Sequence, residues 1–285
     1  MFRFVKILGS GVNGEVCLSE NMKTFEKMAI KRLHVQNELH ILQQVSPHVN
    51  IVQVVHVFDM ENQIFIGMEV MDMTLKNYIK SKNLCENEIK WILKETLTGL
   101  HHCHSLSVLH RDIKPENILL NRRGHVKLCD FSLSRSYSND MTPCVVTLWY
   151  RAPELLLGQR NYNFSIDTWS VCCVLLEMIY KYPPFIAEEN SEMSQIKCIF
   201  TALGCPKEFQ TMQIQVNERI KELWKNLSFV SDTFVYDIHR RPTCHELIQF
   251  IGECEICFFE IEEHRATYEK VPEGWDTLLG PFQIP

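Results

Sequence analysis

The first quarter of the chain alternates apolar and polar residues in short runs, a pattern typical of β-strands. These runs are Phe2–Leu8, Glu15–Leu18, Met28–Lys31, Val54–Phe58 and Ile64–Met68. Between the third and fourth runs, apolar residues recur at helical spacing and predict one short helix. They are Val35, Leu39, Leu42 and Val45. This part of the chain is therefore expected to form a small sheet with one helix.

Beyond residue 72, helical patterns dominate. One face of a long amphipathic helix is marked by Ile89, Ile92, Leu93, Leu97, Leu100 and Cys103. The segment Trp169–Ile179 is apolar nearly all round, which predicts a fully buried helix. A short strand is expected at Val126–Leu128, after the turn Asn121–Gly124. The prediction from these patterns is an α+β fold with a small strand-rich lobe (1–68), a linker (69–72) and a larger, mostly helical lobe (73–285).

The composition is that of an ordinary globular protein, with 285 residues, 46% hydrophobic and 22% charged. A net charge of −6 argues against general binding to nucleic acids or membrane surfaces. The longest apolar run, Val171–Leu176, is far shorter than the roughly 20 residues that span a bilayer. With no signal-peptide pattern at the N-terminus, the sequence predicts a soluble, intracellular protein.

The chain has twelve cysteines, which are expected to stay reduced in a protein without a secretory signal. Cys254 and Cys257, with Cys244, His245 and His264 nearby, resemble half of a zinc site, but a second ordered pair is missing. The run His101–His104 also looks metal-like, yet neighbouring residues of a helix point in different directions. Buried thiols and ordinary helix residues are the preferred interpretation.

A glycine-rich segment joins the first two predicted strands. It comprises Leu8, Gly9, Ser10, Gly11, Val12, Asn13, Gly14, Glu15 and Val16. Glycines let a backbone approach a phosphate where a Cβ would collide. A dinucleotide-binding fingerprint shares the G-x-G-x-x-G spacing, but there a helix follows, whereas here a strand pattern follows. A plain hairpin turn is the alternative.

The third predicted strand ends in Lys31, and the short helix carries Glu38. A lysine at this place can reach nucleotide phosphates if a carboxylate holds it. Solvent exposure is the usual fate of a single lysine or glutamate. The order of glycine loop, strand lysine and helix glutamate favours a Lys31–Glu38 pair.

The polar segment His110–Asn117 lies between two apolar runs, where a rigid scaffold usually presents catalytic groups. Its residue types suit phosphoryl transfer. Asp112 can accept a hydroxyl proton, Lys114 can neutralise phosphate charge and Asn117 can hold a metal ion. A polar surface turn is the alternative while these eight residues stand alone.

His110–Asn117 reads H-R-D-I-K-P-E-N and is followed by D-F-S at Asp130–Ser132 and A-P-E at Ala152–Glu154. Together with the glycine loop and Lys31, this order resembles the eukaryotic protein kinases from about residue 4 to about 250. The resemblance implies the bilobal kinase fold as one domain over 1–285, with an antiparallel sheet in the first lobe and a hinge at the linker 69–72. It also implies ATP and Mg²⁺ as cofactors and a protein substrate.

The resemblance also implies a role for each matching residue. Asp112 would be the catalytic base, and Lys114, Asn117, Lys31 and Glu38 would complete the catalytic set. Asn117 and Asp130 would hold Mg²⁺. ATP would be bound by Leu8, Gly9, Ser10, Gly11, Val12, Asn13, Gly14, Glu15, Val16 and Lys31, and by Glu69 and Met71 in the hinge behind a gatekeeper at Met68. Structural roles fall to the pair Glu154–Arg241 and to Asp167, which would brace the catalytic loop.

Two segments, Val145–Gly158 and Ile199–Pro206, are similar to the cyclin-dependent kinases. This narrower resemblance implies transfer to Ser or Thr followed by Pro, a cyclin-like activating subunit and a role in cell-cycle or transcription control. The location would be the nucleus, the cytoplasm or both. It further implies an activating phosphate on Thr142, bound by Arg111 and Arg135.

The sequence departs from this family at several positions. Ser132 replaces the glycine after Asp-Phe and is expected to narrow the conformational range of the segment. Val12 and Asn13 stand where the family carries inhibitory phosphorylation sites. Cys172 replaces a glycine of the buried helix, for which a packing adjustment is expected.

The connection before the short helix is also unusual, because only six residues separate Lys31 from Glu38. No P-S-T-A-I-R-E-like segment is present, and Asn37 stands where the third phosphate-binding arginine would be expected. Because the cyclin-dependent kinases meet cyclin through that segment, the need for a cyclin is left open. Ser132 and this short connection motivate one alternative, a pseudokinase that acts as a binding scaffold. A small-molecule phosphotransferase is a further alternative, against which A-P-E and T-L-W-Y-R argue.

Overall fold

The architecture comes from a computed structural model that describes residues 2–11, 14–34, 36–138, 141, 148–207 and 228–253. Several positions singled out above lie outside these residues: Val12, Asn13, Val35, Thr142, Cys254, Cys257 and His264. Among the described residues, no helix combines the length and the apolar content that crossing a membrane requires.

A five-stranded antiparallel sheet forms the smaller lobe, and its strands contain the five runs that the alternation of residues predicts. Its strands are β1 (Phe2–Gly11), β2 (Gly14–Asn21), β3 (Lys27–Arg32), β4 (Val54–Met60) and β5 (Gln63–Met68), in the order β1-β2-β3-β5-β4. Gly11 pairs with Gly14 where the β1–β2 hairpin closes. Gly14 has φ 107°, and a Cβ there would lie 3.1 Å from the His34 ring, so the position requires glycine.

One helix, α1 (Gln36–Val45), packs against this sheet, as predicted. Its buried face differs from the predicted one. Leu39 is only partly buried, while Glu38, Ile41, Leu42 and Val45 are buried. These four positions follow the i, i+3, i+4, i+7 spacing of one helical face. The helix is therefore rotated so that the carboxylate of Glu38 points inward with the apolar residues.

The larger lobe is mostly helical, in agreement with the sequence prediction. Its helices are α2 (Leu75–Ser81), α3 (Glu86–Ser105), α4 (Pro153–Leu156), α5 (Ser165–Tyr180), α6 (Glu192–Leu203), α7 (Ser228–Thr233) and α8 (Cys244–Glu253). The six positions that mark the apolar face of α3 are all buried. Helix α5 is buried along nearly its whole length, and Cys172 is fully enclosed in it. Both helix predictions are confirmed.

Short strands hold the loops between the lobes in place. They are β6 (Met73–Thr74), β7 (Val108–Leu109), β8 (Ile118–Leu120), β9 (Val126–Leu128) and β10 (Arg135–Ser136). Strand β7 ends just before His110, β8 begins just after Asn117, and β9 ends two residues before Asp130. Strands β6, β8 and β9 share one sheet, and β7 pairs with β10. This pairing fixes the loop His110–Asn117 beside the loop that begins at Asp130.

Candidate active site

Lys31 lies at the centre of a buried charge cluster between the two lobes. Its Nζ donates to Glu38 Oε1 at 2.6 Å and to Asp130 Oδ1 at 2.9 Å. The Lys31 and Glu38 side chains are 5% and 4% exposed, so the predicted pair is present and removed from water. Burial by itself would lower the pKa of Lys31, but the two carboxylates outweigh it and raise that pKa, which keeps the lysine charged.

The predicted catalytic loop converges on Asp112. Lys114 Nζ donates to Asp112 Oδ2 at 2.8 Å, and Asn117 Nδ2 donates to both Oδ2 and the backbone oxygen of Asp112 at 2.8 Å. A short 3-10 turn, Pro115–Asn117, brings the amide back toward the aspartate. Burial raises the pKa of Asp112, and the neighbouring Lys114 opposes that rise. The loop therefore presents one oriented carboxylate with a cation beside it.

Asn117 and Asp130 are suited to hold a divalent cation. Because the Asn117 amide nitrogen is donated to Asp112, its amide oxygen is the atom that can face a cation. The Asp130 side chain is 21% exposed although it contacts Lys31. One amide oxygen and one carboxylate are hard donors of the kind that Mg²⁺ takes up together with phosphate oxygens. The donor set fits the ion that the sequence resemblance implies.

Asp167 on α5 braces the catalytic loop from below, as expected. Its carboxylate accepts the backbone N–H groups of His110 and Arg111, both at 2.9 Å. Arg111 has φ 69°, a conformation that costs a non-glycine residue energy and needs support from its surroundings. The two hydrogen bonds to a fully buried carboxylate supply that support.

A third partner of Asp167 was not predicted. His104 Nε2 lies 2.9 Å from Asp167 Oδ2, and its Nδ1 lies 3.6 Å from Cys244 Sγ on α8. Burial alone would lower the pKa of His104, but Cys244 and the Asp167 hydrogen bond outweigh it and raise the pKa to about 10. The suspected metal run at His101–His104 thus contributes an ion pair. Among the described residues, no group of three or more His, Cys, Asp or Glu side chains is arranged to hold a metal.

The glycine loop and the hinge line the opposite side of the cleft. Gly9 has open space where a Cβ would be, and Val16 on β2 pairs with Lys31 on β3. In the hinge, the Glu69 N–H donates to Gln53 O at 3.1 Å, and the Glu69 carboxylate accepts from Gln53 N and Lys127 Nζ, each at 2.8 Å. The Glu69 side chain therefore ties the hinge to Gln53 and Lys127.

The remaining predicted nucleotide-binding residues lie on the β1–β2 hairpin and in the hinge, next to the end of β5. Leu8 is 41% exposed on β1, just before Gly9, while Met68 and Met71 are buried. Ser10 pairs with Glu15 across the hairpin that Gly11 and Gly14 close. Residues 12 and 13 lie outside the described chain.

The A-P-E segment is tied to the core by the predicted ion pair. Arg241 donates from Nη1 and Nη2 to the two Glu154 oxygens at 2.6 and 2.8 Å, and both side chains are buried. The guanidinium also lies over the Trp169 ring, 4.9 Å from its centroid. The Glu154–Arg241 pair confirms the prediction. With the Trp169 contact, it anchors on α5 the end of the activation segment, the part of the chain from Asp130 to Glu154.

Of the two arginines predicted to bind a phosphate on Thr142, Arg111 is hydrogen-bonded to neighbouring residues and Arg135 is exposed. Arg111 donates from Nε to Leu133 O and from Nη1 to Tyr162 Oη, each at 2.8 Å. Arg135 lies on β10 and is exposed. Thr142 is outside the described residues, so its phosphorylation stays a prediction.

Asn37 and Ser134 are joined by a hydrogen bond that was not predicted, and they lie 97 residues apart in the sequence. Asn37 Nδ2 donates to Ser134 O at 2.9 Å. Ser132, two residues earlier, does not have a positive φ, whereas Asp130 has φ 60°. The Ser132 hydroxyl is buried and has no hydrogen-bond partner among the described residues. The left-handed conformation in this segment is thus taken by Asp130 rather than by the residue that replaces glycine.

The geometry is that of a two-lobed phosphotransferase. The smaller lobe carries the Lys31–Glu38 pair and the glycine hairpin, and the larger lobe carries the oriented carboxylate of Asp112. Residues 2–250 match the family model described as protein kinase domain. The chain is 36% identical over 265 residues to mitogen-activated protein kinase 14 of Arabidopsis thaliana, covering 86% of this chain and 72% of that protein. It is 38% identical over 224 residues to cyclin-dependent kinase G-2 of Oryza sativa subsp. indica, covering 73% of this chain and 31% of that protein.

The chain therefore belongs to the protein kinase family. Within it, the chain is a eukaryotic serine/threonine protein kinase related to the cyclin-dependent and mitogen-activated kinases. The bilobal fold expected from the sequence is confirmed by the antiparallel sheet of the smaller lobe and the helices of the larger one. Members of this family use ATP and Mg²⁺ and act on protein substrates.

Proposed function

We propose that the chain transfers the γ-phosphate of Mg²⁺-ATP to Ser or Thr residues that are followed by Pro. The phosphate transfer itself is supported by one observation: two charge clusters lie close to each other between the lobes. Lys31 contacts Glu38 and Asp130 in the upper cluster, and Asp112 contacts Lys114 and Asn117 in the lower cluster. In such a site, catalysis consists mainly of positioning and charge stabilisation.

Each charged group then has a defined task. Lys31, held by Glu38, binds phosphate oxygens, and the glycine hairpin covers them with backbone N–H groups. Asp112 accepts a hydrogen bond from the substrate hydroxyl and aims its oxygen at the γ-phosphorus. Lys114 neutralises negative charge next to that oxygen. Mg²⁺, held by Asn117 and Asp130, would neutralise charge on the phosphates when it is bound.

The adenine base is proposed to bind at the hinge. Because the Glu69 N–H is donated to Gln53, the Glu69 carbonyl and the Met71 N–H are the groups proposed to meet the base. Met68, which is buried at the end of β5, would close the back of the pocket. These contacts use the backbone, so they suit any side chains that keep the hinge in place.

The preference for proline is supported by the likeness to the cyclin-dependent and mitogen-activated kinases. It is tested with two peptides that differ only in the residue after the acceptor, Ser-Pro and Ser-Ala, with a Tyr-Pro peptide as control. The expected result is at least about a tenfold higher kcat/KM for Ser-Pro, a difference of about 1.4 kcal/mol in transition-state binding. Equal rates on Ser-Pro and Ser-Ala would contradict it.

Activation by phosphorylation of Thr142 is part of the proposal. Its support is the position of Arg111, whose backbone N–H is bonded to the loop-bracing Asp167 and whose side chain reaches the activation segment at Leu133. Thr142→Ala should lower activity, and treatment of the wild type with a phosphatase should have the same effect. An unchanged rate after both treatments would show that the segment is ordered in another way.

A cyclin-like subunit is a proposed partner, supported by the named rice relative and opposed by the short connection between Lys31 and Glu38. A location in the nucleus, the cytoplasm or both, and a role in cell-cycle or transcription control, belong to the same proposal. Purification from the native cell tests the partner. A co-purifying cyclin-like protein supports the partner, and an active kinase without one contradicts it.

A further inference from the structure

Helix α1 carries Glu38, and the position of this helix decides whether Glu38 reaches Lys31. Polar contacts to the larger lobe hold the helix at both ends. In its first turn, the Asn37 side chain donates to the backbone oxygen of Ser134 in the activation segment, at 2.9 Å. Asn37 directly precedes Glu38, so this bond fixes the residue beside the catalytic glutamate.

The acceptor of this bond is itself anchored on the catalytic loop. Ser134 is fully buried, and its Oγ donates to the backbone oxygen of His110 at 3.0 Å. Just before it, Leu133 O accepts from Arg111 Nε at 2.8 Å. The bond from Asn37 to Ser134 and the bond from Ser134 to His110 thus connect the first turn of α1 to the loop that carries Asp112.

The last turn of α1 is held in the same manner. Gln44 Nε2 donates to Leu106 O at 3.0 Å, just after helix α3. His102 Nε2 lies 2.9 Å from Val45 O, and since a carbonyl only accepts, the imidazole nitrogen is the donor. The His102 ring also stacks on His48, with 4.3 Å between the ring centroids.

We propose that Asn37, Gln44, His102 and Ser134 form a latch, the α1 latch, that positions Glu38 on Lys31 without a phosphate on the activation segment. An arginine at position 37 would extend a charge toward such a phosphate. The Asn37 amide is instead already bonded to the backbone at the start of that segment. Asn37 and Ser134 are therefore positioning residues for the transfer reaction. The inference rests on the proposed function for the role of the Lys31–Glu38 pair.

Hydrogen exchange of the α1 amides in the full chain measures the latch directly. Asn37→Asp preserves the shape of the side chain but removes its N–H donor, and Gln44→Ala removes the bond to Leu106 while the His102–Val45 contact of the last turn remains. Loss of one hydrogen bond of about 1 kcal/mol corresponds to about fivefold faster exchange of α1. Ser134→Ala removes the hydrogen bond from Ser134 Oγ to His110 O, which holds the acceptor of the Asn37 bond in place. This variant should also speed the exchange of the α1 amides.

The matched control is Gln43→Ala, one position away on the exposed face of the same helix, which should exchange like the wild type. Phosphatase treatment of the wild type should leave the exchange of α1 within about twofold, which is under 0.5 kcal/mol. The second readout is kinetic. Measured without denaturant, where every variant is fully folded, Asn37→Asp should lower kcat/KM for ATP about fivefold, and Asn37→Gln, which retains an amide donor, should restore part of it.

The two proposals fail in different ways. Unchanged α1 exchange in Asn37→Asp overturns the latch, whatever the rate of phosphate transfer. Exchange that rises fivefold after phosphatase treatment of the wild type also overturns it, because the helix would then depend on the phosphate. Absence of transfer by the wild type contradicts the proposed function and leaves the exchange measurement to decide on the latch.

Discussion

The buried ion pair between Glu154 and Arg241 is predicted to contribute strongly to the stability of the fold. Its two hydrogen bonds, at 2.6 and 2.8 Å, join side chains that are 4% and 0% exposed. Replacing Arg241 with Met leaves the Glu154 carboxylate buried without its cation. Breaking a buried pair in this way typically costs about 3–5 kcal/mol, because the remaining charge is uncompensated.

For a chain of this length, 1 kcal/mol corresponds to about 2 °C in Tm, so Arg241→Met is expected to lower Tm by roughly 6–10 °C. The assay is thermal or urea unfolding of the wild type, Glu154→Gln, Arg241→Met and the double variant. Because the second substitution removes a charge that is already unpaired, the double variant should be less destabilised than the sum of the two single variants. Additive effects, or a loss below about 1 kcal/mol for Arg241→Met, would refute the reasoning.

Two further predictions concern the catalytic loop and the segment after it. His104→Gln should destabilise the fold most at low pH, because the raised pKa of His104 stabilises the folded state fully below pH 6.5 and this contribution is lost as the pH rises toward about 10. Urea midpoints of both proteins across that range check it, and a constant difference would contradict it. Ser132→Gly should speed hydrogen exchange at residues 130–134, because glycine opens conformations that serine disfavours. Exchange equal to the wild type would argue against a restricted segment.

The parts of the site that the sequence predicts are those carried by short, ordered motifs. His110–Asn117 folds on itself through a 3-10 turn, so the positions of Asp112 and Asn117 follow from local spacing. The Lys31–Glu38 pair joins a strand to the next helix and needs only their order along the chain. The A-P-E glutamate and its arginine are distant in sequence, and the family resemblance alone indicated that pair.

The contacts that the sequence did not indicate connect single polar residues far apart in the chain. Asn37 meets Ser134 across 97 positions, and His104 meets Asp167 across 63. Such contacts depend on how whole elements pack, and they leave no periodic signal in either segment. The rotation of α1 has the same origin: apolar periodicity alone did not mark Glu38 as part of the buried face, because its partner Lys31 lies on another element.

The central claim is that Asp112 orients the acceptor hydroxyl in an ATP-dependent transfer. The most direct test compares the rates of Mg²⁺-dependent phosphate transfer to a Ser-Pro peptide by the wild type and by Asp112→Asn. The substitution retains the shape of the side chain but removes the base, so a loss of at least about a hundredfold is expected, with ATP binding unchanged. Equal rates in the two proteins would contradict the account.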